Sequence, residues 1–220
     1  MAYHLEAEKI DLDDLRKRIE ATDLIPSRVS LLDEIGRKMK ALEQQGITTL
    51  AGLRNELKNS KRLEVLANAA GIDIEYLTLL RREIEGYFPK PFALSAFDGL
   101  PKNEIAKLEQ NGIRDTAALF EATRGAKRIT ELAESTRVAE DILEALARLA
   151  DLTRIQWVSP TVARMLVAAG YENVARVATA DAEELYAALA RVNAEGKYFK
   201  GTIGLRDAKR LIQAASYCLF

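Results

Sequence analysis

Apolar residues recur along the chain at helical rather than alternating spacing, and the positions they mark predict helices from end to end. Leu12, Leu15 and Ile19 form one stripe over residues 11–21, with carboxylates in its first turn that suit the helix dipole. Val29, Leu32, Ile35, Met39 and Leu42 predict one continuous helix from Ser27 to Gln45, which Gly46 stops. Thr48-Thr49 then caps a helix carrying Leu50, Leu53 and Leu57, and two more follow over 61–70 and 74–87. Phe88-Pro89-Lys90-Pro91-Phe92 interrupts the pattern, because two prolines at alternate positions forbid helix and favour an extended connector. No strand is predicted; Val174 to Ala178 could alternate, but its helical flanks outweigh so short a signal.

Beyond the connector the pattern restarts 66 residues on without a gap. Leu42 meets Leu108, Gly46-Ile47 meets Gly112-Ile113, Leu53 meets Leu119, Lys61-Arg62 meets Lys127-Arg128, and Leu77 and Leu80 meet Leu143 and Leu146. A looser third copy lies another 58 residues on, with Gly170-Tyr171 in the place of Gly112-Ile113. Its centre is TRIQWVSPTVARMLVAAGYENVARVAT, residues 153–179, read as a short helix, a tight hairpin at Trp157-Val158-Ser159-Pro160, a helix, a turn at Gly170 and a further helix. Val192 to Gly204 is expected to insert a loop before a last helix over 205–217. The expectation is an all-α chain of three repeats. An arm and helix occupy 1–24, repeat 1 spans 25–87, a proline linker 88–93, repeat 2 94–152 and repeat 3 153–220.

Composition narrows the function more by exclusion than by indication. With 32 Lys and Arg against 33 Asp and Glu, no whole-molecule field draws the protein to nucleic acid or membrane, so such binding would need a local patch. The single cysteine, Cys218, rules out an internal disulfide, and the single histidine, His4, is expected in a frayed start. No Walker or dinucleotide glycine motif and no His/Cys cluster with metal spacing occurs. Asp13-Asp14 and Glu183-Glu184 diverge by about 100° on a helix and are read as helix-start carboxylates. No enzyme, cofactor, metal or small-molecule substrate is therefore expected. The first residues lack a basic-then-apolar leader, and no apolar run approaches the roughly 20 residues of a membrane span. A cytoplasmic protein without membrane association is the expectation.

Two frames in the sequence, Asp98-Gly99-Leu100-Pro101 followed by Ala106, Leu108 and Gly112-Ile113, and Trp157-Val158-Ser159-Pro160 followed by Ala163, Leu166 and Gly170, resemble the helix-hairpin-helix superfamily. More narrowly, ADLTRIQWVSPTVARMLVAAGY and AEELYAALARVNAEGK look like the bacterial family DUF4332, over roughly Leu94 to Ser216. The resemblance implies tandem helix-hairpin-helix (SAM-like) repeats and implies no activity.

A working hairpin of this kind holds a DNA phosphate in backbone N–H groups that glycines leave accessible. Here Pro101 replaces the second glycine and has no N–H, Asp98 adds a repelling charge, and Trp157 and Ser159 stand where the third copy would have both glycines. In the first copy a continuous helix leaves no hairpin. Trp157 is read as a core plug. Only the last hairpin keeps favourable chemistry: Lys197, Tyr198, Lys200, Thr202, Ile203 and Gly204, then Arg206, Lys209 and Arg210, with Asp207 as the one opposing charge. The bland alternative has Tyr198 and Phe199 closing the core and the three helix cations solvated. Lys61-Arg62 and Lys127-Arg128 are read as solvated helix starts. Two functions remain: an interaction or scaffold module with a protein partner, and weak, sequence-independent nucleic-acid binding through the last hairpin and its basic loop.

Overall fold

The computed structural model describes residues 3–125 and 127–219, so residues 1, 2, 126 and 220 of the expected segments lie outside the described residues. Among the described residues the chain is all-α, with no strand; Asp11 with Thr49 and Ala93 with Asp115 form isolated antiparallel bridges. It divides into two compact units. Leu5–Phe88 form the smaller; the residues up to His4, with those from Pro89 onward, form the larger.

The smaller unit contains α1 (Leu12–Ala21), α2 (Ile35–Gln44), α3 (Leu50–Lys58), α4 (Ser60–Ala70) and α5 (Ile74–Glu85). Leu12, Leu15, Ile19, Leu42, Leu53, Leu77 and Leu80 are fully buried in one core. The expected continuous helix from Ser27 is not there. Pro26–Leu32 is a 3-10 helix, Glu34 takes a left-handed conformation at φ 51, and α2 starts only afterwards. Here Leu31 is fully buried and its carbonyl accepts a 2.9 Å hydrogen bond from the Tyr76 hydroxyl, which ties this turn to α5. Val29 and Leu32 are consequently exposed. The residues ahead of α2 therefore turn instead of continuing it.

The larger unit contains α6 (Lys102–Gln110), α7 (Thr116–Thr123), α8 (Arg128–Thr136), α9 (Glu140–Leu152), α10 (Pro160–Ala168), α11 (Val174–Ala178), α12 (Ala182–Gly196) and α13 (Leu205–Ser216). It has two cores: Leu108, Leu119, Leu143 and Leu146 in one, Ala163, Leu166, Val177 and Leu189 in the other. Leu132, on α8, is only half-buried and packs against the first of these cores. Residues 153–156 make successive turns rather than the expected short helix. The helix before the last loop also runs further than expected, to Gly196, so the loop is confined to 197–204. Lys197 ends it in the left-handed conformation, its N–H returned to the Asn193 carbonyl at 2.9 Å.

One local structure occurs three times, around Gly46, Gly112 and Gly170. In each, the preceding helix closes by the same pair of bonds: the glycine N–H reaches Glu43, Glu109 or Val167, and the next N–H reaches Leu42, Leu108 or Leu166. The glycines sit at φ 80, 84 and 88, the left-handed turn that such a helix end requires. Three residues after each glycine, Thr49, Asp115 and Asn173 cap the next helix by accepting the N–H of Gly52, Ala118 and Arg176. The first N–H of that helix, which has no partner within it, is taken from outside by Ile10 O, Phe92 O and Asp151 Oδ2 respectively.

Candidate functional site

A hairpin that binds phosphate needs free backbone N–H groups, so the segments ahead of α2, α6 and α10 depend on what their N–H groups meet. Each has one left-handed residue before its helix, Glu34 (φ 51), Gly99 (φ 85) or Trp157 (φ 70). In the second hairpin Pro101 is the N-cap of α6 and supplies no N–H. In the third, Ser159 caps α10, its Oγ accepting the Val162 N–H at 3.3 Å. Asp98 is solvent-exposed and lies 3.6 Å from Arg164 Nη1.

The last loop is built around two aromatic rings lying against glycines. A Cβ on Gly196 would fall 2.3 Å from the Tyr198 ring, and one on Gly201 would fall 2.4 Å from the Phe199 ring, so only glycine admits either arrangement. Asn193 clamps the loop by accepting the Phe199 N–H at 2.8 Å and donating to its carbonyl at 3.1 Å. Tyr198 is half-buried and packs on the core, but Phe199 is 55% exposed and does not close it. Lys197, Lys200 and Thr202 are exposed, and Ile203 packs against the core. Gly204, the residue expected to offer an amide to an anion, donates that N–H to Asp207 Oδ2 at 2.9 Å, while Asp207 N–H returns to the Gly204 carbonyl. The carboxylate of the following helix thus already occupies the place of the anion.

On α13, Arg206 and Lys209 are exposed, while Arg210 turns aside. Its guanidinium lies 4.4 Å from the centre of the Trp157 ring, and its Nε is buried without an acceptor. Trp157 is 48% exposed, which corrects its expected role as a core plug: in the left-handed conformation it stands outside the hairpin, and Arg210 covers one face. Arg164 similarly lies 5.6 Å from the Tyr198 ring centre. Sequence reading missed both arginine–aromatic pairs; the tryptophan in a glycine slot was the available signal for the first.

Elsewhere, Arg62 pairs with Glu56 and Arg128 with Glu131 on exposed helix ends. A groove of about 580 Å³ opens on the smaller unit, lined among others by Gly46, Asn55, Lys61, Arg62, Val65 and Ala69, with Val65 68% exposed. Asp13-Asp14 and Glu183-Glu184 lie in the first turns of α1 and α12. Among the described residues no group of three or more His, Cys, Asp or Glu is placed to hold a metal ion, and no helix is long and apolar enough to cross a membrane. His4 is not at a frayed end, because Tyr3 beside it is buried; Cys218 donates to the Arg154 carbonyl at 3.3 Å.

No curated protein and no solved structure matches the chain. One family model does: that of a domain of unknown function, DUF4332, aligns with residues 98–217, from the second hairpin through α13. That span is more than half of the chain, and the protein belongs to the DUF4332 family.

Proposed function

We propose that the chain is a non-catalytic interaction module made of three degenerate helix-hairpin-helix repeats, over 25–87, 94–152 and 153–220, in which the hairpins are packing corners rather than phosphate nests. The thrice-occurring helix end, cap and externally satisfied first N–H support the repeat count. Helix boundaries support it too: α10 repeats the span of α6 after 58 residues. The observation that carries the functional reading is the fate of the hairpin donors: Pro101 has none, Val162 gives its N–H to Ser159, and Gly204 gives its own to Asp207. A phosphate would have to displace a carboxylate already held by the same dipole, with nothing gained in charge. The groove around Val65 is the surface of the smaller unit that a protein segment would use, since an exposed β-branched side chain beside Lys61 and Arg62 offers both apolar contact and charge.

The test is a pair of measurements on the full chain. Fluorescence anisotropy with single-stranded and duplex oligonucleotides at low salt, where electrostatic binding is strongest, is expected to show no association. Affinity capture with the wild type and Val65→Glu should identify proteins retained by the first and lost by the second. Oligonucleotide binding, with no protein lost on the substitution, would overturn the reading.

A second reading has its own observation. Residues 196–210 carry Lys197, Lys200, Arg206, Lys209 and Arg210 against Asp207 alone, beside the exposed Phe199 and the Arg210–Trp157 stack. A single strand could lie along such a face by stacking and charge without any hairpin amide. If it does, reversing Lys197, Lys200 and Lys209 to Glu abolishes binding, and affinity falls with salt by a log-log slope of about −0.7 per phosphate contact.

A further inference from the structure

Tyr3 is held in the larger unit as a peptide residue is held by a receptor, at both backbone groups and at its side chain. Its N–H donates to Glu121 Oε1 at 3.1 Å, and its carbonyl accepts from Arg154 Nε at 3.1 Å. Its ring meets Phe120 edge-on at 5.9 Å, and the Arg154 guanidinium lies 4.4 Å from the centre of that same Phe120 ring. Thr116, Thr153 and Arg154, which complete the socket, are buried.

The direction of the hydrogen bonds makes the socket specific for a hydroxyl. Thr116 Oγ1 accepts the Phe92 N–H at 3.1 Å and lies 2.8 Å from the Tyr3 oxygen, with its own proton available to that oxygen. Thr153 Oγ1 donates to the Ala150 carbonyl at 2.9 Å and is thereby an acceptor for the Tyr3 hydroxyl at 3.2 Å. The phenol is one link in a chain from Thr116 to Ala150, and a phenylalanine there would break it at both ends.

This socket lies in one compact unit, and the residue filling it is joined to the rest of that unit only through Leu5–Phe88, which form a second compact unit. Occupancy from within the chain therefore rests on the local concentration that this connection through a second unit sets. The same segment of a second copy offers identical contacts, so exchange gives up none of them. We propose that the socket is a tyrosine-recognition site and that Tyr3 of a second copy enters it in exchange for the chain's own, linking two copies reciprocally.

Tyr3→Ala has the socket and nothing to put in another; Thr153→Val retains Tyr3 but lacks an acceptor for it. Sedimentation velocity on full-length chains should find each variant monomeric alone and a one-to-one heterodimer when they are mixed. A labelled peptide of residues 2–6 should bind folded Tyr3→Ala and compete with that heterodimer. The same peptide with Phe for Tyr should bind at least about tenfold more weakly, since two buried hydroxyls lose a partner. If Tyr3→Ala does not fold, Tyr3→Phe serves as acceptor and should take up the tyrosine peptide in preference to the phenylalanine one. Mixtures that stay monomeric, or acceptors that fail to distinguish the peptides, overturn the proposal.

Discussion

Arg210 on α13 and Trp157 in the third hairpin meet with the guanidinium 4.4 Å from the indole ring centre, on the solvent side of a backbone held at φ 70. Two effects oppose each other there. The left-handed conformation costs a residue with a Cβ about 1–2 kcal/mol, whereas a partly exposed cation–π contact returns about 0.5–1 kcal/mol. Trp157→Gly loses the contact and the strain together, and Trp157→Ala loses the contact alone. The glycine variant is expected to be the more stable of the two by about 1 kcal/mol. Urea denaturation of both variants checks this, and equal midpoints would mean that the hairpin relaxes out of the left-handed region.

Leu42, Leu108 and Leu166 occupy one place in the three local structures, fully buried, each carbonyl accepting the N–H beyond its glycine. Truncation of any one to Ala removes a buried branched side chain at a helix end that is itself pinned. Each should lose about 2–5 kcal/mol of unfolding free energy in denaturant titrations. A loss near zero at any of them would show that its core collapses freely into the space.

Such positions were legible because helical periodicity and glycine turns are local: the leucines, the Gly-Ile turns and the Thr49 cap follow from sequence spacing alone, whereas the Asp115 and Asn173 caps emerged only in the structure. What escaped was decided by distant partners. The helix expected through residues 27–45 breaks where Leu31 is buried and Tyr76, 45 positions away, donates to its carbonyl. Tyr3 is buried rather than frayed because Thr116, Glu121, Thr153 and Arg154 converge on it. Within the last loop, the number of cations was evident, but the use of the Gly204 amide by Asp207 and the turning of Arg210 onto Trp157 depend on side-chain directions that no charge count contains.

The three turn glycines offer a comparison within one molecule. A Cβ added at Gly46, Gly112 or Gly170 would meet nothing within 4 Å, so replacement by Ala costs only backbone conformation. Each variant should lose about 1–2 kcal/mol, and the three losses should agree more closely with one another than the leucine truncations do, because no packing enters. Thermal unfolding of the three single variants measures this; one much larger loss would point to a neighbour that the turn must clear.

The Tyr3 phenol also predicts how stability responds to alkali. Burial pushes its pKa above the ordinary value of 10.0, outweighing the opposing hydrogen bonds from Thr116 and Thr153. A folded-state pKa above the unfolded one means that the unfolded chain gives up its proton first as pH rises. The group's contribution is then fully present below pH 10.0, declines above it, and is lost once pH passes through the folded-state value. Tyr76 adds to this, since burial raises its pKa as well. Tyr3→Phe removes one such ionisation, so its stability should fall less steeply than that of the wild type above pH 10.0, although it begins lower for want of the hydroxyl. Denaturant midpoints measured from neutral pH upward should therefore converge for the two proteins as alkalinity increases. Parallel curves would mean that Tyr3 ionises in the folded protein as it does in the unfolded one, and that its socket is open to water.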